Sequence, residues 1–210
     1  MRRPMLILAA AALAIGAAAL SIYGMGAGEV HAPAASPPIS AEAPPVAGGP
    51  AFLPPDKRVA APIITMTGRD GTSFGLERFA GKIVVLNFWA TWCAPCIEEL
   101  PSLVRLQEKL GTRAFVVALS LDRGGLDEVV PFLEEQAIAI EPYVDASMAA
   151  MRLFRLSGMP TTVIIDGQGR EIGRIVGPAV WDDAMHLELI EGFVAETQSD
   201  AGATSGLPQP

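Results

Sequence analysis

The sequence predicts an α/β fold, a central mixed β-sheet flanked by helices. Three observations predict it. Apolar runs of strand length at residues 83–88 and 114–121 alternate with stretches of helical spacing, the pattern of parallel βαβ units. Two further runs, 161–165 and 172–176, flank the turn Asp166-Gly167-Gln168-Gly169 and read as an antiparallel hairpin. A helix-period stretch at 181–196 then closes the sheet.

The elements follow in chain order. Residues 63–67 read as a short strand, Arg69-Asp70-Gly71 as a turn, and 72–74 as its hairpin partner, giving an N-terminal β-hairpin. Residues 83–88 are a central strand. Residues 95–110 carry Ile97, Leu100, Leu103, Val104 and Leu106 at helical spacing, with a kink expected at Pro101. A second buried strand spans 114–121. An inserted helix follows at 126–136, irregular near Pro131, then a short strand at 142–144 and a short helix at 147–154. In the closing helix Met185, Leu189 and Phe193 recur four apart, so they are its expected buried face, and Met151 is also read as core.

The chain ahead of the domain has its own logic. Arg2 and Arg3 precede 25 uncharged residues, 4–28, long enough to span a bilayer. Arginines before that stretch and Glu29 after it place the N-terminus inside and the rest outside. Residues 1–28 are therefore read as a signal anchor. A cleaved signal peptide is the alternative, since much of the stretch is Ala and Gly. Either reading puts the remainder in an oxidising compartment, and the expected location is the inner (cytoplasmic) membrane, single-pass, with the domain in the periplasm. Residues 29–57 hold eight prolines and form a Pro/Ala-rich linker, 58–196 the folded domain, and 197–210 a disordered tail. The net charge of −8, with no block of Lys and Arg, excludes nucleic acid as an expected partner.

The chemistry concentrates in Trp92-Cys93-Ala94-Pro95-Cys96, which contains the only two cysteines of the chain. The pair sits between the end of a strand and the start of a helix. Two intervening residues let both sulfurs meet within one turn, so a disulfide can open and close without moving the fold. A Cys93 thiolate capping the helix would face its orphan N–H groups, which lowers a thiol pKa. Pro95 fits the first turn, where its missing N–H costs nothing. Cys96, one turn in, would be more buried, as suits a resolving thiol. A structural zinc site needs about four ligands, and no second Cys pair exists. The expected redox group is the disulfide Cys93–Cys96 itself, with no further cofactor and no metal.

The chain resembles the TlpA/ResA group of membrane-anchored, thioredoxin-like thiol:disulfide oxidoreductases. The resemblance rests on Gly81 to Trp89, on Trp92-Cys93-Ala94-Pro95-Cys96 followed by Glu99 and Pro101, on Gly158-Met159-Pro160-Thr161, and on Val117 to Arg123. With Val176-Gly177-Pro178 and Trp181 it is nearest to TlpA. The resemblance implies a thioredoxin-like fold, Cys93 as attacking thiol and Cys96 as resolving thiol. It makes Pro160 a cis-proline beside the disulfide, with Met159 offering backbone groups to a client and Trp92 and Thr161 nearby. Glu99 matches a family glutamate that can tune thiol ionisation and shuttle protons. Two departures stand out. Thioredoxin has a buried Asp where this chain has Asn87, and relatives that reduce apocytochrome c usually have Glu where this chain has Thr161. The implied clients are disulfide-bearing proteins of cytochrome biogenesis, of copper-assembly or apocytochrome type, and the implied electron donor is a membrane thiol reductant.

Competing functions differ in what they require. A Cu(I)-handling metallochaperone could use the two thiolates as soft ligands, but no His or Met cluster adjoins them. Copper titration of the reduced protein against Cys93→Ser separates the readings. A peroxidase on this fold would carry Pro and Thr seven and three residues before its reactive Cys, where this chain has Leu86 and Ala90. Strong oxidants of the fold carry His before the second Cys, where this chain has Pro95.

Overall fold

A computed structural model of the protein describes residues 52–205. The expected anchor, the first part of the linker and the last residues of the tail lie outside that range. Among the described residues no helix is long and apolar enough to cross a membrane.

The sheet grows outward from β4 (Ile83–Trp89), whose seven residues are all buried, so side chains are packed on both of its faces. It pairs in parallel with β5 (Ala114–Ser120) and antiparallel with β7 (Thr161–Ile165). Beyond β7 comes β8 (Arg170–Val176), and beyond that the edge strand β1 (Val59–Ala60). On the other side β5 meets β6 (Tyr143–Val144), then the hairpin of β2 (Met66–Gly68) and β3 (Ser73–Phe74). The full order is β1-β8-β7-β4-β5-β6-β2-β3, mixed as expected.

Helices cover both faces. On one, α1 (Ala94–Leu110) contributes Leu100, Leu103 and Leu106, α2 (Leu126–Glu135) contributes Val129 and Leu133, and α4 (Ala184–Ser205) contributes Ile190 and Val194. On the other, α3 (Ala149–Leu153) and the 3₁₀ turn Leu76–Phe79 cover Leu86, Phe88 and Val163. Truncating any of the buried leucines to Ala would cost about 2–5 kcal/mol.

Four expectations shift. The first strand begins at Met66, because Ile63 is 92% exposed and the chain only settles onto the sheet at Ile64 and Met66. Edge strand β1 was unforeseen. Both of its residues are exposed, so it carries no alternation. The closing helix starts at Ala184, and its buried face is His186, Ile190 and Val194, one residue on from the expected Met185, Leu189 and Phe193. Met185 is 64% exposed, whereas Met151 packs partly against the core as expected. Last, the ordered chain extends past 58–196 at both ends. Phe52 bridges Gly173, Leu53 N–H donates to Ile172 C=O at 2.6 Å, and α4 runs to Ser205.

Candidate active site

The turn that leaves β4 delivers Cys93 to the N-cap of α1. Cys93 has extended backbone angles (φ −99°, ψ 92°), and Pro95 lies in the first turn of the helix. The Cys93 carbonyl accepts the N–H groups of Cys96 and Ile97, and the Cys93 N–H donates to Ala90 C=O at 3.1 Å. The two cysteines form a disulfide, with sulfurs 2.04 Å apart. Cys93 keeps a 7% opening to solvent while Cys96 has none. Only Cys93 can be approached.

The segment before β7 lies alongside. Phe88 pairs with Thr161, which sets Pro160 level with the end of β4, and Met159–Pro160 is a cis peptide. Half-buried Met159 packs against the core cluster that contains both cysteines. Thr161 is buried, and its hydroxyl donates to Gly158 C=O at 2.7 Å, so its side chain braces the loop rather than facing outward. Gly177, at φ +99°, turns the chain out of β8 and donates its N–H to Pro160 C=O at 2.8 Å. Trp92 is 63% exposed and Trp89 is fully buried, so the two tryptophans have different jobs. Exposed Val176 and Val180 flank Gly177 and add apolar surface.

Glu99 is a buried carboxyl one helical turn beyond Cys96. Its Oε1 accepts Asn87 Nδ2 at 2.6 Å, and its Oε2 accepts Ala179 N–H at 3.0 Å and Trp181 Nε1 at 3.3 Å. Burial pushes its carboxyl pKa up, against the pull of these three donors. Asn87 also donates to Thr162 Oγ1 at 2.9 Å, so the carboxyl is wired to the strand that follows Pro160. Arg105 holds Asp182 through two bonds, of 2.7 and 3.1 Å, and fixes the loop that carries Trp181. Glu98, one residue away, is exposed.

The structure thus gathers Cys93, Cys96, Glu99, Met159 and Pro160 at one end of the sheet, with Trp92 on the surface beside them. Ala179 and Trp181 as partners of Glu99, and Thr162 as a partner of Asn87, were missed. Only Trp181 had left a signal, as part of the resemblance. Asp122, which holds the turn before Cys93, was also missed.

Comparison with known proteins follows the same lines. A model of the AhpC/TSA family matches residues 58–170. The thiol-disulfide oxidoreductase ResA of Bacillus anthracis is 29% identical over 135 residues, covering 64% of this chain and 74% of that protein. ResA of Oceanobacillus iheyensis is 35% identical over 127 residues, 60% and 62% of the two chains. Among solved structures, a DsbF homologue from Corynebacterium diphtheriae superposes with a TM-score of 0.59 at 26% identity, covering 73% of this chain and 96% of that one.

Proposed function

The chain belongs to the AhpC/TSA family and is a thiol–disulfide oxidoreductase of thioredoxin-like fold, and from that premise we propose that it reduces client disulfides in the periplasm. The observation that carries this reading is the asymmetry of the disulfide. Cys93 sits at a helix N-terminus with an opening to solvent, Cys96 is sealed, and a cis-proline loop lies alongside.

The steps follow from that asymmetry. In the dithiol state the helix N-terminus favours a thiolate at Cys93. The thiolate attacks one client sulfur, the client S–S bond breaks, and the departing client sulfur takes a proton. A mixed disulfide joins Cys93 to the client. Cys96 then loses its proton and attacks Cys93 Sγ, which expels the second client thiolate and forms the Cys93–Cys96 bond. Two electrons have passed to the client. Glu99, one helical turn beyond Cys96, is the proton acceptor for this step, because burial raises its proton affinity. Exposed Trp92, Val176 and Val180, with the backbone at Met159, form the surface the client meets. The positions that a peroxidase would fill with Pro and Thr are Leu86 and Ala90, both fully buried, and this favours exchange over peroxide reduction.

The domain is held to the inner membrane by residues 1–28, is recharged by a membrane thiol reductant, and serves copper-assembly or apocytochrome-type clients. Trapping tests the exchange reading. Cys96→Ser in cells should accumulate client adducts through Cys93 that dithiothreitol releases, and no adducts above the level of Cys93→Ser would overturn it. For topology, a tag after Gly206 should be open to external protease and stay with membranes after a salt wash. A soluble product starting after Ala19 would sink the anchor.

A further inference from the structure

Asp122 is a buried carboxylate that the exchange steps above do not use. It lies just past the end of β5, is 1% exposed, and faces the turn between β4 and α1. Its Oδ2 accepts the backbone N–H of Thr91 at 2.9 Å and the Ser120 hydroxyl at 2.7 Å, and its Oδ1 accepts the Thr91 hydroxyl at 2.8 Å. The Asp122 N–H returns a bond to Ser120 Oγ at 3.0 Å. From the first turns of α2, Glu128 shares the Thr91 hydroxyl at 3.3 Å and accepts Gly124 N–H at 3.1 Å.

Burying a carboxylate is costly unless its lone pairs are filled. Here they are filled by neutral donors, two of them from Thr91, and no cation is among them. Thr91 stands two residues before Cys93. Cys96 lies inside the helix, whereas Cys93 is its non-helical cap, tied to the helix through its carbonyl and to the preceding turn through its N–H bond to Ala90. The place of Cys93 therefore depends also on the turn, and Asp122 joins the Thr91 of that turn to the end of the neighbouring strand.

We propose that Asp122 is a positioning residue for the disulfide: by clamping Thr91 through both its N–H and its hydroxyl, it holds Cys93 Sγ within bonding reach of Cys96 Sγ and so sets the dithiol–disulfide equilibrium. This rests on the exchange reading. Preorganised thiols close their ring more readily than loose ones, as in any reaction made intramolecular. Loosening the turn therefore lowers the effective concentration of one thiol at the other and weakens the disulfide.

The test is equilibration with reduced and oxidised glutathione. One S–S bond forms between Cys93 and Cys96 while one glutathione disulfide becomes two thiols. Asp122→Asn keeps the shape but replaces one acceptor oxygen by a donor facing Thr91 or Ser120. It should lower the equilibrium constant at least tenfold, about 30 mV toward more oxidising potential. Thr91→Val, which loses the hydroxyl and keeps the N–H, should move it the same way by a smaller factor. Thr91→Ser, which restores the hydroxyl, should bring it back. If Asp122→Asn does not fold, the Thr91 pair decides the matter alone. Constants within twofold of wild type, even with a lowered Tm, would overturn the proposal. So would a change in Asp122→Asn with none in Thr91→Val, which would mark a charge effect instead of a clamp. A wild-type protein that fails to equilibrate with glutathione at all would sink the exchange reading rather than the clamp.

Discussion

Glu99 accepts the backbone N–H of Ala179 at 3.0 Å, across 80 residues of chain. The bond ties the redox helix to the loop whose Gly177 holds Pro160, while Asn87 ties the same carboxyl to Thr162. The carboxyl one turn beyond Cys96 is therefore also a joint between the loop after β8 and the strand that follows Pro160.

Replacing Glu99 by Gln tests its part in proton transfer. Asn87 can turn its amide over to accept from the new side chain, so the fold should survive. Resolution of a mixed disulfide by Cys96 should slow by about 10²-fold, the low end for a lost acid–base group. Stability should change with a defined sign. Burial holds the Glu99 carboxyl above its unfolded pKa, so the native state keeps a proton that the unfolded state has released. The stability tied to that proton is complete below the usual glutamate range and is lost as pH rises through the raised native value. The wild type should lose stability relative to Glu99→Gln over that rise. Denaturant unfolding of both proteins from pH 4 to 8 checks it, and parallel curves would return Glu99 to an ordinary structural role.

The thiols should differ in the reduced protein. Cys93 should be alkylated at least tenfold faster than Cys96 at neutral pH, because it alone of the two keeps an opening to solvent and it caps the helix N-terminus. Mass-spectrometric rates at each site measure this, and a faster Cys96 would reverse their roles. With Ala94-Pro95 between them the pair should have a potential nearer about −270 mV than about −120 mV, the values of thioredoxin and of a strong oxidant. Equilibration above about −170 mV would argue for an oxidant.

Much of this was legible in the sequence. The CxxC, its strand and its helix were readable because buried strands and amphipathic helices write their period into the chain, and Pro160 because its neighbours match a known loop. The burial of Glu99 was not readable from its own helix, since it depends on Ala179 and Trp181 far along the chain. Asp122 was hidden for a similar reason. Its partners are a backbone N–H and two hydroxyls, and hydroxyl residues leave no periodic mark. The register of α4 slipped by one because Trp181 is buried ahead of the helix and His186 packs beside its ring, 5.0 Å between centroids, so a histidine takes a place that an apolar residue was expected to fill.

Arg58 joins the N-terminal segment to the rest of the domain. Its guanidinium is 2.9 Å from Glu196 and 3.5 Å from Asp166, with only 4% of the side chain exposed. Its Nε donates to Leu53 C=O at 3.2 Å. Arg58→Met should cost about 3 kcal/mol, because it leaves Glu196 without its buried partner. That is a fall in Tm of roughly 6–12 °C for a domain of this size. Asp166 follows the end of β7 opposite Thr161, so the network is remote from the disulfide, and the glutathione equilibrium should not move. Calorimetry with the redox measurement on the same sample tests both halves.

Asn87→Asp tests the wiring most sharply. In the wild type Asn87 Nδ2 donates to Glu99 Oε1 at 2.6 Å. The substitution places a second carboxylate at that distance, and two such groups cannot both ionise. The pair should hold one proton at neutral pH, and the stability loss should grow as pH rises, reaching about 2–4 kcal/mol by pH 8. Combined with Glu99→Gln the outcome inverts. The glutamine Nε2 can donate to the introduced carboxylate while its Oε1 keeps the bonds from Ala179 and Trp181, so donor and acceptor have merely exchanged places between β4 and α1. The double variant should recover most of the stability lost by Asn87→Asp. It should also recover part of the resolution rate lost by Glu99→Gln, because the buried network again contains a proton acceptor. Stability without rate would mean that a carboxylate must sit on the helix itself. Rate without stability would mean that a carboxylate on either element can take the proton, while the loops need the original hydrogen-bond network.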